Sequence, residues 1–210
     1  MNVAFKKFSD SALLIVGHGR SDSPASTALI QGHAAAISDR HIFKEVHSGF
    51  IKLEPFMDAQ LAEIKNDTVY IVPCFASPGS LTKTVVPEKL GLAGKVTRRG
   101  SQTIYYCEPV GNHPTISQQL CSLVKKTAQI SGVPAQETTI IVVGHGSGQN
   151  PQSEIDTRHV ADQLDQLALS KSVIALFLDQ SPNLADWVSH CTTSNVIIVG
   201  YLFSGGSHET

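Results

Sequence analysis

The feature of this 210-residue chain that most restricts its fold is an internal repeat. Val-Gly-His-Gly occurs at residues 16–19 and again at 143–146, an offset of 145 − 18 = 127 residues. The same offset aligns six further identical pairs without a gap: Pro24 with Pro151, Phe50 with Phe177, Pro55 with Pro182, Ser77 with Ser204, Gly79 with Gly206 and Ser80 with Ser207. Chance can supply one such match, but not a series in constant register. We therefore predict two copies of one βαβ-type unit, residues 1–129 and 130–210.

The two copies differ in length. After its Ser-Pro-Gly-Ser segment, the first copy is expected to continue with a helix start near Val86, a strand at 103–107 and a helix at 115–128. The second copy stops at Thr210, just past the matching segment. We therefore expect a truncated second lobe, unless the natural chain continues.

The apolar segments predict an α/β fold. They are short, rich in β-branched residues and continuous rather than alternating, as in strands of a parallel sheet with helices on both faces. The segments are residues 13–16, 69–72, 103–107, 140–143, 173–177 and 196–199. Amphipathic helical patterns lie between them at 115–128 and 153–168. The prediction is two pseudo-symmetric lobes, each a small parallel sheet flanked by helices.

Composition excludes several classes of protein. A net charge of −2 gives no electrostatic reason to expect nucleic-acid binding. The four cysteines form no Cys-x-x-Cys pair, so buried thiols are expected. The N-terminus lacks a long apolar core, and no apolar run reaches the roughly 18 residues of a membrane span. We expect a soluble cytoplasmic protein that does not bind membranes.

The repeat also indicates where chemistry could occur, because open α/β sheets bind ligands at the carboxyl ends of their strands. At three such positions the second copy has His145, Asp179 and His208. The corresponding residues of the first copy are His18, Lys52 and Leu81. Two imidazoles and a carboxylate suit a divalent ion such as cobalt, nickel, iron or zinc. The alternative is that His145 only hydrogen-bonds its own turn and that His208 is an ordinary surface residue.

Five segments carry a resemblance to a known family. They are LLIVGHGRSDSPAS, PCFASPGSLTKTVVP, YYCEPVGNHP, IIVVGHGSGQNPQSE and GYLFSGGSHET. In this order they resemble the sirohydrochlorin cobaltochelatases, the class II chelatases of cobalamin and sirohaem biosynthesis. The resemblance implies a divalent metal as substrate, Co²⁺ first and Ni²⁺ or Fe²⁺ as alternatives, a tetrapyrrole as the other substrate, and no organic cofactor.

The resemblance also implies roles for individual residues. The family uses two histidines to bind metal and to accept pyrrole protons, and their positions are His145 and His208. An acidic residue, usually glutamate, corresponds to Asp179. Related chelatases have their site in a cleft between two pseudo-symmetric lobes. The carboxylates of the tetrapyrrole need basic partners, for which the candidates are Lys52, Lys83, Arg98 and Arg99, with His18 as a further substrate contact.

Two other functions use parts of the same pattern. A non-catalytic carrier of metal or tetrapyrrole would need the same residues, and a homo-oligomer is compatible with either function. A phosphoryl-transfer enzyme of the histidine phosphatase type is suggested by His18-Gly19-Arg20. That chemistry needs an arginine immediately before the histidine, where this chain has Gly17 and Gly144.

Overall fold

The computed structural model describes residues 8–19, 24–147 and 151–203. The described residues form two compact units, one comprising the residues up to Val110 together with Phe203 and the other comprising Gly111–Leu202. The helix at 114–131 therefore belongs to the second unit, although most of it precedes the predicted boundary at 129/130. The division of the sequence repeat at 129/130 stays a prediction about the duplication.

The first unit is built on a five-stranded sheet with helices on its faces. Its strand order is β2-β1-β3-β5-β4. The strands are β1 (Ala12–Gly17), β2 (Glu45–Phe50), β3 (Thr68–Pro73), β4 (Val96–Arg99) and β5 (Gln102–Tyr106). The helices are α1 (Pro24–Ser38), α2 (Met57–Glu63) and α3 (Val86–Lys89), the last continuing a π-helical turn, Leu81–Val85. The predicted helix start near Val86 and the predicted strand at 103–107 are both present.

The sheet of the first unit departs from the prediction at one edge. β1, β2, β3 and β5 run parallel, but β4 pairs antiparallel with β5, from Val96 opposite Tyr105 to Arg99 opposite Gln102. The sheet is therefore mixed rather than parallel. The sequence of β4, Val-Thr-Arg-Arg, contains no apolar run, and three of its four side chains are exposed. The hydrophobic pattern therefore does not indicate a strand there.

The second unit is built on a three-stranded parallel sheet. Its strand order is β7-β6-β8. The strands are β6 (Thr138–Gly144), β7 (Ser172–Phe177) and β8 (Asn195–Gly200), and the helices are α4 (Pro114–Ser131), α5 (Gln152–Asp165) and α6 (Trp187–His190). The boundaries of α4 follow from its sequence: Pro114 occupies the first turn, the His113 side chain accepts from the Thr115 amide, and Gly132 ends the helix at φ 63°.

The two sheets share one backbone plan over three strands. Gly17 pairs with Phe50 in the first unit, and Gly144 pairs with Phe177 in the second. The central strands also pair with their other neighbours in matching register, Ala12 with Val69 and Thr139 with Val196. Every one of these pairs is related by the offset of 127 residues. The predicted α/β fold with two related lobes is thus observed at the level of individual strand pairs.

No helix among the described residues combines the length and the hydropathy that a bilayer crossing requires.

Candidate functional site

The site of the second unit begins with the turn that follows β6. Gly146 has φ +76°, a left-handed conformation that favours glycine. Gly144 allows helix α5 to pack against the turn, because a side-chain carbon there would collide with the Thr157 side chain. These two glycines fix the backbone on both sides of His145. The first unit has the same turn, with Gly19 at φ +70°.

Backbone hydrogen bonds bring residue 179 beside residue 145. The Asp179 amide donates to the His145 carbonyl at 2.9 Å, and the Leu178 amide donates to the Gly144 carbonyl at 3.2 Å. In the first unit the Lys52 amide donates to the His18 carbonyl at 3.1 Å. The same backbone therefore presents a histidine and an aspartate in one unit, and a histidine and a lysine in the other.

The His145 imidazole lies against two oxygen acceptors. Its Nδ1 is 3.2 Å from Asp179 Oδ2 and 3.0 Å from the Gly146 carbonyl oxygen. Two acceptors at Nδ1 favour the tautomer with the proton on that nitrogen, which leaves the lone pair on Nε2. The side chains of His145 and Asp179 are 55% and 53% exposed, so a solute can reach the pair. This arrangement suits an imidazole that binds a cation or accepts a proton through Nε2.

The third predicted ligand, His208, lies outside the described residues. Within residues 8–19, 24–147 and 151–203, no group of three or more His, Cys, Asp or Glu side chains is placed to hold a metal ion. The described part of the chain thus brings together two of the three residues that the repeat predicts as metal ligands. Those two are His145 and Asp179.

The cysteines do not compete for this role. All four are free and half-buried, so the expected burial is reached only in part. Burial raises the pKa of the Cys74 thiol to about 11. Burial also raises the pKa of the Cys107 thiol. The thiolate form that binds metals is therefore disfavoured near neutral pH.

The basic residues predicted in the first unit separate into two groups. Lys52 is exposed and follows β2, and Lys83 is exposed in the π-helical turn after β3. Both therefore lie after carboxyl ends of parallel strands. Leu81, which replaces the histidine in this copy, packs on the apolar core of the first unit. His18 is half-buried at the end of β1.

Arg98 and Arg99 lie at the other edge of the sheet. Because β4 is antiparallel, Arg98 pairs with Thr103 at the start of β5, and Thr103 pairs with Thr68 at the start of β3. Arg99 also has a structural role, since its guanidinium donates to the carbonyls of Leu90 and Gly91 after helix α3. The structure therefore does not bring these two arginines to His18 and Lys52.

A third basic residue, which the sequence did not indicate, lies near the carboxyl ends of the parallel strands. Lys95 precedes β4, and its ammonium is 2.7 Å from the Glu108 carboxylate. Lys83 and Lys95 both line a cavity of about 460 Å³ in the first unit. Its wall includes Tyr106, whose hydroxyl donates to the Thr82 carbonyl at 2.6 Å. Recognition of β4 as an antiparallel strand would have identified Lys95 instead of Arg98.

Comparisons with known proteins agree with this architecture. The CbiX family model matches residues 12–127 and 139–210. A probable sirohydrochlorin cobaltochelatase of Halobacterium salinarum is 32% identical over 216 residues, which cover 94% of this chain and 73% of that protein. The chain is also similar to two solved structures.

One is a multi-domain Deinococcus radiodurans protein with structural similarity to chelatases, at a TM-score of 0.79 and 24% identity. The match covers 95% of this chain and 45% of that one, so this chain spans less than half of its length. The other is SirB from Bacillus subtilis with Fe³⁺, at a TM-score of 0.74 and 24% identity, covering 95% of this chain and 79% of that chain.

These structural likenesses define the class of the fold, which is that of the chelatases. The family match and the Halobacterium relative make the assignment more specific. The chain belongs to the CbiX family of sirohydrochlorin chelatases.

Proposed function

We propose that this protein is a lyase-type metal chelatase that inserts a divalent metal, Co²⁺ in first place, into sirohydrochlorin or a related tetrapyrrole. The reaction would serve cobalamin or sirohaem biosynthesis. The observation that carries the proposal is the His145–Asp179 pair at 3.2 Å, at strand ends that carry His18 and Lys52 in the other copy. Family membership supplies the substrate class. The relative named a cobaltochelatase favours cobalt, and SirB with Fe³⁺ keeps iron as the alternative.

The chemistry requires a group that both binds a cation and takes up protons. Insertion replaces two pyrrole N–H protons with one M²⁺ ion, so two protons must leave the macrocycle for each metal bound. A neutral imidazole can do both, because its nitrogen lone pair binds either a metal or a proton. In our proposal His145 and His208 receive the metal and relay the protons. Asp179 orients His145 and stabilises the imidazolium that results.

The basic residues of the first unit are proposed to bind the substrate. Sirohydrochlorin carries several carboxylates, and lysine ammonium groups are suitable partners for them. Lys52 and Lys83 follow strand ends, as the metal-binding candidates do, and His18 is kept as a further substrate contact. Lys52 occupies the position of Asp179, which favours carboxylate binding over metal binding in the first copy.

Replacement of His145 tests the proposal. We expect His145→Ala to abolish cobalt insertion into sirohydrochlorin, followed by the visible absorbance of the macrocycle without oxygen. His18→Ala should weaken substrate binding and leave turnover measurable. His33→Ala, at an exposed position in helix α1, serves as the control with wild-type rates. A folded His145→Ala protein that inserts cobalt at the wild-type rate would contradict the proposal.

The same assay separates the enzyme from the alternative, a non-catalytic carrier of metal or tetrapyrrole. A chelatase at one hundredth of the substrate concentration converts all of the sirohydrochlorin to the cobalt form. A carrier binds at most a stoichiometric amount and leaves the uncatalysed rate of the remaining substrate unchanged.

A further inference from the structure

A chain of side-chain hydrogen bonds lies directly behind the His145 turn. The Ser147 amide donates to Gln180 Oε1 at 2.7 Å, and Gln180 Nε2 donates to Glu154 Oε2 at 2.6 Å. Arg158 Nε then donates to Glu154 Oε1 at 2.7 Å. Gln180 is the next residue after Asp179, so adjacent side chains contact the two sides of the same turn. Asp179 contacts the His145 ring, and Gln180 binds the backbone two residues further on.

The order of donors and acceptors in this chain is determined by Glu154. A carboxylate only accepts, so it requires Gln180 to present its NH₂ group, and the amide oxygen must then face the Ser147 amide. Hydrogen bonds from Arg158 and from Gln180 hold the pKa of Glu154 below its ordinary value, which keeps the group ionised. Arg158 is itself located over the ring of the fully buried Phe177, with its guanidinium carbon 5.6 Å from the ring centre.

The first unit shows that the turn itself does not need this chain of bonds. At the offset of 127 residues, Gln180 corresponds to Leu53, Glu154 to Thr27 and Arg158 to Gln31. Leu53 packs in an apolar cluster and has no polar group to bind a backbone amide. Even so, Gly19 keeps the same left-handed conformation as Gly146. The hydrogen-bonded glutamine is therefore present in the copy that has the histidine–aspartate pair. In the other copy the left-handed glycine occurs without it.

We propose that Gln180 and Glu154 are positioning residues that hold the Gly144–Ser147 turn so that the His145 ring stays against Asp179. This inference rests on the proposed function for its catalytic consequence. Its structural part is that Glu154 orients Gln180 and that Gln180 holds the Ser147 amide. This part depends only on the observed hydrogen bonds.

An exchange of the two functional groups tests the inference. Gln180→Glu places a second carboxylate against Glu154, and Glu154→Gln removes the group that orients Gln180. Each single variant is expected to lower kcat/KM for Co²⁺ by about 10- to 100-fold, as is usual when the partner of a metal-binding histidine is disturbed. The combined variant restores all three bonds, because the Ser147 amide still donates to residue 180, Arg158 still donates to residue 154, and only the bond between residues 154 and 180 changes direction; it should return to within about threefold of wild type.

The control is Gln60→Glu in the first unit. Gln60 also donates its NH₂ group to a glutamate, Glu63, at 3.3 Å, but it lies on helix α2, and its oxygen is 3.3 Å from Nδ1 of His47 in β2 rather than bound to the His18 turn. It is expected to keep wild-type activity. Gln180→Leu is a second variant that is expected to fold, because leucine occupies this position in the first copy. Gln180→Leu should lose activity to the same extent as Gln180→Glu and Glu154→Gln.

A measurement without substrate separates this inference from the proposed function. Hydrogen exchange of the Ser147 amide should quicken by about 3- to 10-fold in each single variant, because residue 180 loses the partner at position 154 that holds it against this amide, and return in the combined variant. The NMR signals of the His145 ring should move and return in parallel. If the wild-type protein inserts no metal, the proposed function fails while these signals still test the positioning role. Unchanged Ser147 exchange in the single variants, or a combined variant no better than either, would overturn the inference.

Discussion

A carboxylate beside Nδ1 of an imidazole selects the Nδ1–H tautomer and leaves the lone pair of Nε2 available to bind a metal ion. His145 has this environment, with Asp179 Oδ2 at 3.2 Å from Nδ1. His18 has the same backbone environment, but its neighbour at the matching position is Lys52. At the scale of single residues, the residue that follows this strand end is therefore negatively charged in the second copy, at Asp179, and positively charged in the first copy, at Lys52.

Asp179→Asn tests the importance of that charge. The amide has nearly the same shape as the carboxylate but no charge, so we expect kcat/KM for metal insertion to fall by about 10- to 100-fold. Asp179→Glu keeps the charge and is expected to retain most of the activity. Because both side chains are about half exposed, the free energy of unfolding should change by less than about 1 kcal/mol in either variant. Equal losses in the two variants would show that geometry matters and charge does not.

Residues of this kind could be predicted only where the repeat supplied a comparison. His145 and Asp179 were predicted because both follow equivalent strand ends, where the first copy keeps the histidine, His18, but has Lys52 in place of the aspartate. Gln180 and Glu154 were not identified, because a hydrogen bond between residues 26 positions apart leaves no periodic signal in a sequence. Arg98 was a candidate for substrate binding, and its position opposite the start of β5 could not be foreseen, because the direction of β4 cannot be inferred from four mostly polar residues.

At the scale of secondary-structure elements, the turn after β6 connects strand, site and helix α5 within a few residues. Its two glycines have different functions. Gly144 makes room for Thr157 of α5, and Gly146 allows the left-handed bend. Both were predictable as turn residues from the Val-Gly-His-Gly motif. Their contacts depend on side chains that approach from α5 and from the loop after β7, which the motif does not contain.

Gly146→Ala should be clearly more destabilising than Gly132→Ala. Both glycines are left-handed, at φ +76° and +63°, and an alanine in that conformation costs about 1–2 kcal/mol. At Gly132 a side-chain carbon meets no atom within 4 Å, whereas at Gly146 it would lie 2.6 Å from Gln180 Cγ and 3.0 Å from Phe177 Cβ. Crowding of this kind adds about 1–3 kcal/mol. Urea denaturation of the two variants measures the difference, and equal values would mean that Gln180 moves aside at little cost.

At the scale of the whole molecule, the two units differ in the segment that covers one face of the sheet. In the first unit the segment from the π-helical turn to β5 contributes Val86, Leu90 and Ile104 to one apolar cluster. That cluster also contains Ile71 of β3, which is 0% exposed. Among the described residues, the second unit has no counterpart of this segment after β8. The residue that matches Ile71 there is Ile198, which is 57% exposed. The described part of the chain therefore leaves Ile198 uncovered.

Paired substitutions at these two positions measure what the covering segment contributes. Ile71→Ala removes methyl groups from a closed core and should cost about 2–5 kcal/mol. Ile198→Ala removes the same groups from a surface that water already reaches, and it should cost less than about 1 kcal/mol. The two side chains are identical and occupy the same register position in related sheets, but β3 is an inner strand and β8 is an edge strand, so the measured difference includes this difference in strand position. Denaturation curves followed by far-UV circular dichroism give both values. If Ile198→Ala is as costly as Ile71→Ala, then another part of the protein covers β8 in solution, and the second sheet is not open at this position.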